Sequence, residues 1–246
     1  MTEEIPLAGG FVSPVVRVDD TVRRPAPARA AYVRDLLKLF ERHGWPGAPR
    51  WLGLDDRGRE TLSFLDGFVA WRRPWPAAVR SRESLVRMAE LVREFHDLTA
   101  GTPPAEGHEV VCHNDLSPKN TVYRDPGSGL RPVAFIDWDL AAPVARIHDV
   151  AHVCWQYLDL GPSVDDAREA ALGVRLICDA YALSDRDEVV ETILWWQDRC
   201  RRGIESGAAD GDPAMIGLRD LGAAQAVRSA YQWVTDHRST LEAALR

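Results

Sequence analysis

The stretch "VVCHNDLSPKNTVYRD", residues 110–125, decides how this chain is read. Between two strand-like runs it holds His113, Asp115, Lys119 and Asn120 within eight positions. Packing alone gives no reason to crowd an imidazole, an acid, a base and an amide there. A Pro-Gly turn follows at 125–129, then a second strand-like run, "PVAFIDWD", at 132–139. A hairpin returning through that turn brings Asn120 beside Asp137. Side chains alternate along a strand, so Asp137 and Asp139 share a face if the strand persists that far. Asp115, Asn120, Asp137 and Asp139 then surround one point. Hard oxygen ligands of this kind suit Mg²⁺ and leave coordination positions open for phosphate oxygens.

Upstream, the chain reads as short strands and one helix. "SPVVRVDDTVRRP", residues 13–25, has two β-branched runs split by Asp19-Asp20, a hairpin-like turn, with Gly9-Gly10 just before them. "ARAAYVRDLLKLFERHG", residues 28–44, shows helical spacing at Tyr32, Val33, Leu36, Leu37 and Phe40, stopped by Gly44 and Pro46. "PRWLGLDDRGRETLSFLDG", residues 49–67, reads as two strands around Asp55–Gly58. Two prolines and two tryptophans in "AWRRPWPAAVR", residues 70–80, mark a connection between lobes. Ser81 is placed to cap a helix carrying Leu85, Met88, Val92 and Phe95 on one face. Beyond residue 145 the pattern is helical almost to the end.

Bulk properties narrow the class. The 246 residues are 46% hydrophobic and 27% charged, as expected of a globular chain with a sizeable core. No apolar run reaches the ~18–20 residues that span a bilayer. The acidic start "MTEEIPLAGG" does not resemble a secretory signal, which points to the cytoplasm. The four cysteines form no C-x-x-C pair and are expected as free thiols. Residues 155–246 hold 16 acidic and 10 basic side chains, accounting for −6 of the chain's net −7. That balance argues against nucleic acid and is compatible with a cationic partner.

"HNDLSPKN", beginning at His113, resembles the H-x-D-x-x-x-x-N loop of the aminoglycoside phosphotransferase and choline kinase-like enzymes, relatives of the protein kinases. "FIDWD", ending at Asp139, resembles their metal-binding strand, and "HDVAHV", beginning at His148, the helix start that follows it. The resemblance implies an α+β, protein kinase-like fold. A small N-terminal antiparallel sheet lobe over 1–66 would bind the nucleotide, and a larger, mainly helical lobe over 67–246 would carry catalysis and the acceptor. It implies transfer of the γ-phosphoryl of ATP or GTP, with Mg²⁺, to a hydroxyl on a small molecule. Asp115 would orient that hydroxyl and take its proton. Asn120 and Asp137 would hold the metal, His113 would brace the loop, and Asp149 would anchor the helical lobe. Gly9 and Gly10 stand where backbone amides would cap phosphates, and Phe64 and Leu65 where a hinge backbone would meet the base. Asp159, Asp198 and Glu205 are candidate contacts for a cationic acceptor.

Two departures accompany the resemblance. Kinase-like enzymes place a lysine on the third strand, paired with a helix glutamate. The lysines here are Lys38, in the first helix, and Lys119, in the catalytic loop. Arg23 is the favoured substitute, ahead of Arg24, because an arginine keeps its charge and grips phosphate bidentately. The helix glutamate's place falls near Val33, with Asp35 the nearest acid. Two rival readings follow from these residues. One is a nucleotide-binding regulatory module without turnover. The other is a zinc hydrolase built on His148 and His152, which stand one helical turn apart in "HDVAH".

Overall fold

The computed structural model describes residues 3–7, 15–127 and 129–246. Gly9 and Gly10 lie outside the described residues. The chain packs as two units, Met1–Arg146 and Ile147–Arg246. The observed content is α+β, as the sequence implies.

The first unit opens with β1 (Ile5–Pro6), β2 (Val16–Val18) and β3 (Thr21–Arg24), followed by α1 (Ala30–Arg42), β4 (Trp51–Leu54) and β5 (Glu60–Ser63). These strands form an antiparallel sheet in the order β1-β2-β3-β5-β4. The β2–β3 turn places Asp19 at φ 52°, a left-handed conformation that Asp tolerates better than most residues. Along β5, Glu60 and Leu62 are buried while Thr61 and Ser63 are half-exposed. The register sets Arg24 opposite Glu60 and Val22 opposite Leu62, so Arg24 shares the buried face of the sheet and Arg23 points the other way. Helix α1 buries Val33, Leu36, Leu37, Leu39 and Phe40, and Gly44 ends it at φ 65°.

The chain continues through β6 (Phe68–Val69) to α2 (Arg82–Thr99), where Ser81 Oγ accepts the Ser84 amide at 3.2 Å as the expected cap. Then come β7 (Val110–Cys112), β8 (Thr121–Arg124), β9 (Arg131–Phe135) and β10 (Ala142–Val144). β8 pairs with β9 and with β6, and β7 pairs with β10. Gly67, at φ 151°, lets β6 close on β8: a Cβ there would stand 2.6 Å from the Tyr123 carbonyl oxygen. The β8–β9 register shifts at Val122/Tyr123, next to Pro132, which has no amide to give to a regular ladder.

One aromatic cluster joins these pieces. Trp138, buried, stands 5.0 Å from Phe40 of α1, 5.1 Å from Phe95 of α2 and 4.6 Å from the His113 ring, centroid to centroid. Tilted and edge-to-face rings at such spacings are favourable beyond their buried area.

The second unit is helical among the described residues: α3 (Ile147–Leu158), α4 (Ala167–Tyr181), α5 (Val189–Ala209), α6 (Pro213–Asp220), α7 (Ala223–Asp236) and α8 (Arg238–Leu245). Asp166 caps α4 and Asp212 caps α6, the latter with Pro213 in the first turn. No helix among the described residues is long and apolar enough to cross a membrane.

Candidate active site

The turn between β7 and β8 carries His113, Asp115 and Asn120, the loop residues expected from sequence, and its own hydrogen bonds fix them. His113 is buried; its Nδ1 accepts the Asp115 amide at 3.3 Å and its Nε2 lies 3.0 Å from the Ile136 carbonyl oxygen. Those two partners fit the tautomer with a proton on Nε2, which donates to Ile136. Asn114, at φ 63°, donates from Nδ2 to the Leu140 carbonyl at 3.0 Å, tying the turn to the segment after Asp137. Asn120 donates from Nδ2 to the Asp115 backbone oxygen and to Asp115 Oδ2, both at 2.8 Å. Its Oδ1 is the candidate ligand atom.

The hairpin brings Asp137 alongside. Thr121 pairs with Phe135, and the Ile136 amide donates to the Asn120 carbonyl at 2.9 Å. The strand does not persist to Asp139, however. β9 ends at Phe135, Asp137 takes φ 66° and ψ 60°, and residues Trp138–Leu140 form a 3₁₀ turn. The expected alternation of Asp137 and Asp139 along one strand is therefore corrected. The left-handed residue re-aims both carboxylates, and they meet at Arg24 instead.

Arg24 lies at the centre of this cluster. Its Nε donates to Glu60 Oε2 at 2.9 Å and its NH2 to Asp139 Oδ1 at 2.6 Å, while NH1 stands 3.5 Å from Asp137 Oδ1. Burial disfavours the guanidinium's charge, but Asp139 and Glu60 outweigh it and hold its pKa above the ordinary value. Arg23, the residue favoured from sequence, faces Asp55 at 3.7 Å on the other side of the sheet. Lys119 Nζ stands 3.5 Å from Asp115 Oδ2. The helix acid expected near Val33 is not supplied by α1. Val33 is buried, and Asp35 pairs with its neighbour Arg34 at the surface.

The charges around this point do not balance. Among the described residues, four carboxylates, from Glu60, Asp115, Asp137 and Asp139, face two side-chain cations, from Arg24 and Lys119. Desolvation by the surrounding protein, then the neighbouring Asp139, push the Asp137 carboxyl above its usual range against the pull of Arg24. Two uncompensated negative charges on hard oxygen donors fit a divalent cation such as Mg²⁺. Asn120 Oδ1 and Asp137 are the atoms that would hold it.

The remaining candidates are placed as follows. The Phe64 amide donates to the Asp20 carbonyl at 2.8 Å, so its N–H serves the fold. Leu65 lines a small cleft with Pro46, Val122 and Ala134. In the second unit, Asp198 pairs with Arg201 and Arg202, each at 2.8 Å, and Glu205 pairs with Arg201 and Arg228. Asp159, at φ 56°, accepts from Ser163 at 3.2 Å. Asp149 is fully buried. His148 packs edge-on to Trp195 at 5.0 Å and His152 to Trp196 at 4.8 Å. Among the described residues no third His, Cys or carboxylate joins that pair at metal-binding distance.

The model of the phosphotransferase enzyme family matches residues 5–186 of this chain. The chain belongs to that family. This phosphotransferase-family protein is 34% identical over 274 aligned positions, covering 100% of both chains, to the trifolitoxin immunity protein of Rhizobium leguminosarum bv. trifolii. Its fold is that of a choline/ethanolamine kinase family protein from Mesorhizobium loti, with TM-score 0.60 and 16% identity over 100% of this chain and 92% of the other. It is also that of an aminoglycoside 2'-phosphotransferase-IIIa in its GDP complex, with TM-score 0.59 and 13% identity over 100% and 93%. The protein kinase-like architecture expected from the sequence is thus the architecture of this family member.

Proposed function

We propose that this chain is a small-molecule kinase that transfers the γ-phosphoryl of ATP or GTP to a substrate hydroxyl. The carrying observation is the convergence of Asp115, Asn120 and Asp137 with Arg24 around a point of excess negative charge. Phosphoryl transfer asks mainly for positioning and charge neutralisation, and these groups supply both. Asp115, steadied by Asn120 and Lys119, orients the acceptor hydroxyl and takes its proton. Mg²⁺, held by Asn120 and Asp137, would neutralise phosphate oxygens when bound. Arg24 grips a phosphate in place of the missing strand lysine, a role its guanidinium suits by geometry and permanent charge. The working division is a nucleotide-binding part before about residue 66 and an acceptor-binding part after it. The cytoplasm, where nucleoside triphosphates are supplied, is the proposed site of action.

The trifolitoxin immunity relative makes a toxic compound the first acceptor class to try, ahead of a metabolic amino alcohol. The same relative keeps a second reading in play, a protein that confers immunity by binding without turnover. One experiment separates them: the chain is incubated with Mg·ATP or Mg·GTP and a panel of hydroxyl-bearing antibiotics and amino alcohols, and released ADP or GDP is measured. Acceptor-dependent diphosphate that disappears in Asp115→Ala supports the kinase. Acceptor binding with no diphosphate above background supports the binding protein.

A further inference from the structure

The acid that steadies Arg24 comes from an unexpected element. Glu60 stands directly opposite Arg24 in the β3–β5 ladder and is 1% exposed. Its Oε2 accepts the Arg24 Nε hydrogen at 2.9 Å, and its Oε1 is buried without a hydrogen-bond partner among the described residues. A buried carboxylate with one oxygen unsatisfied is a poor stabilising device. Helix α1 offers no competing acid, since Leu36, Leu37 and Phe40 fill its inner face and Asp35 and Glu41 are exposed.

We infer that Glu60 is a positioning residue for nucleotide phosphate, holding the Arg24 guanidinium at Nε so that both terminal nitrogens face the Asp137–Asp139 edge. This assignment rests on the kinase reading above. A guanidinium has two further nitrogens to offer once Nε is anchored, whereas a lysine has one nitrogen for every task. Arginine at 24 and glutamate at 60 therefore form a matched pair. Adjacent strands fix it through ladder hydrogen bonds, so it does not depend on how a helix is docked.

The test compares wild type, Glu60→Gln, Arg24→Ala, the double variant and Arg24→Lys, all as the full chain. Affinity is measured by calorimetry for Mg·ATP and Mg·GTP, and for adenosine and guanosine, which lack phosphates. Glu60→Gln, which removes the charge anchoring Nε, is expected to weaken the triphosphate by about 10–100-fold, the scale on which outer-shell partners act on metal ligands. Nucleoside affinity should stay unchanged, which a general structural defect would not allow. In the Arg24→Ala background, Glu60→Gln should add less than about twofold, because coupled residues are not additive. Equal losses in both backgrounds, or an unchanged triphosphate affinity, would overturn the assignment. If Glu60→Gln does not fold, Arg24→Lys decides: wild-type triphosphate affinity there would show that the Nε brace is dispensable. Wild type binding neither nucleotide would instead bring down the kinase reading itself.

Discussion

Two clusters of acids in this protein carry opposite messages. In the second unit, Asp198 and Glu205 on α5 face Arg201, Arg202 and Arg228, so every negative charge has a guanidinium at hand. In the first unit, Asp115, Asp137, Asp139 and Glu60 outnumber Arg24 and Lys119. Yet the sequence places most of the net negative charge in the second region, with −6 over residues 155–246. Segment charge is therefore a poor guide to where carboxylates outnumber the cations beside them. What matters is how many cations answer the carboxylates, because three that share one guanidinium leave negative charge over while Asp198 and Glu205 do not.

Substitutions can break that contrast. The largest effect is expected at Asp115→Ala, which should lower kcat by about 10²–10⁴ through loss of general-base and orienting help. Steady-state turnover near wild type would remove Asp115 from the chemistry. Asp137→Asn should abolish the difference in nucleotide affinity between Mg²⁺ and EDTA; titration showing that the difference survives would place the metal elsewhere. Trp138→Ala, which empties an indole's space beside Phe40, Phe95 and His113, should cost about 3–5 kcal/mol of stability by chemical denaturation. Asp198→Asn combined with Glu205→Gln should leave the acceptor KM within about twofold, as expected for acids already paired at the surface. A large rise in KM would restore α5 as the acceptor site and sink the contrast.

The smallest effect concerns pH. Burial first, and then Arg199, lower the His148 pKa against the pull of Asp149, so the folded state prefers the neutral ring. A depressed pKa contributes stability above the unfolded value and loses it as pH falls through the folded one. The melting temperature should therefore decline below about pH 6.5. The decline should be shallower in His148→Gln, and an identical pH profile would discount the residue.

The central loop was legible because its parts are close in sequence. Asp115, Asn120 and Asp137 sit on one turn and one hairpin, where spacing and register dictate proximity. Arg24 and Glu60 come from far upstream, and no spacing rule joins them to the loop. Their own signal was present but faint. Glu60 alternates with Leu62, which marks an acid on the buried face of β5, and Arg24 alternates with Val22 on the matching face of β3. Arg23, favoured from sequence, and Arg24 differ by one residue and so face opposite sides of the strand, with Arg24 on the side of Glu60 and Asp137. The 3₁₀ turn after Asp137 was illegible, since nothing in "FIDWDL" announces a left-handed aspartate. The pairing of Asp198 and Glu205 was likewise illegible, because sequence does not show that Arg201 answers both acids.

The rings around Trp138 also bear on how freely the neighbouring turn can move. The indole is wedged among two phenylalanines and an imidazole, and a close-packed interior resists the void its ejection would leave. The left-handed aspartate at 137 is thereby tied to α1, α2 and the loop at His113 together, so a swing of that turn would have to be shared by all three.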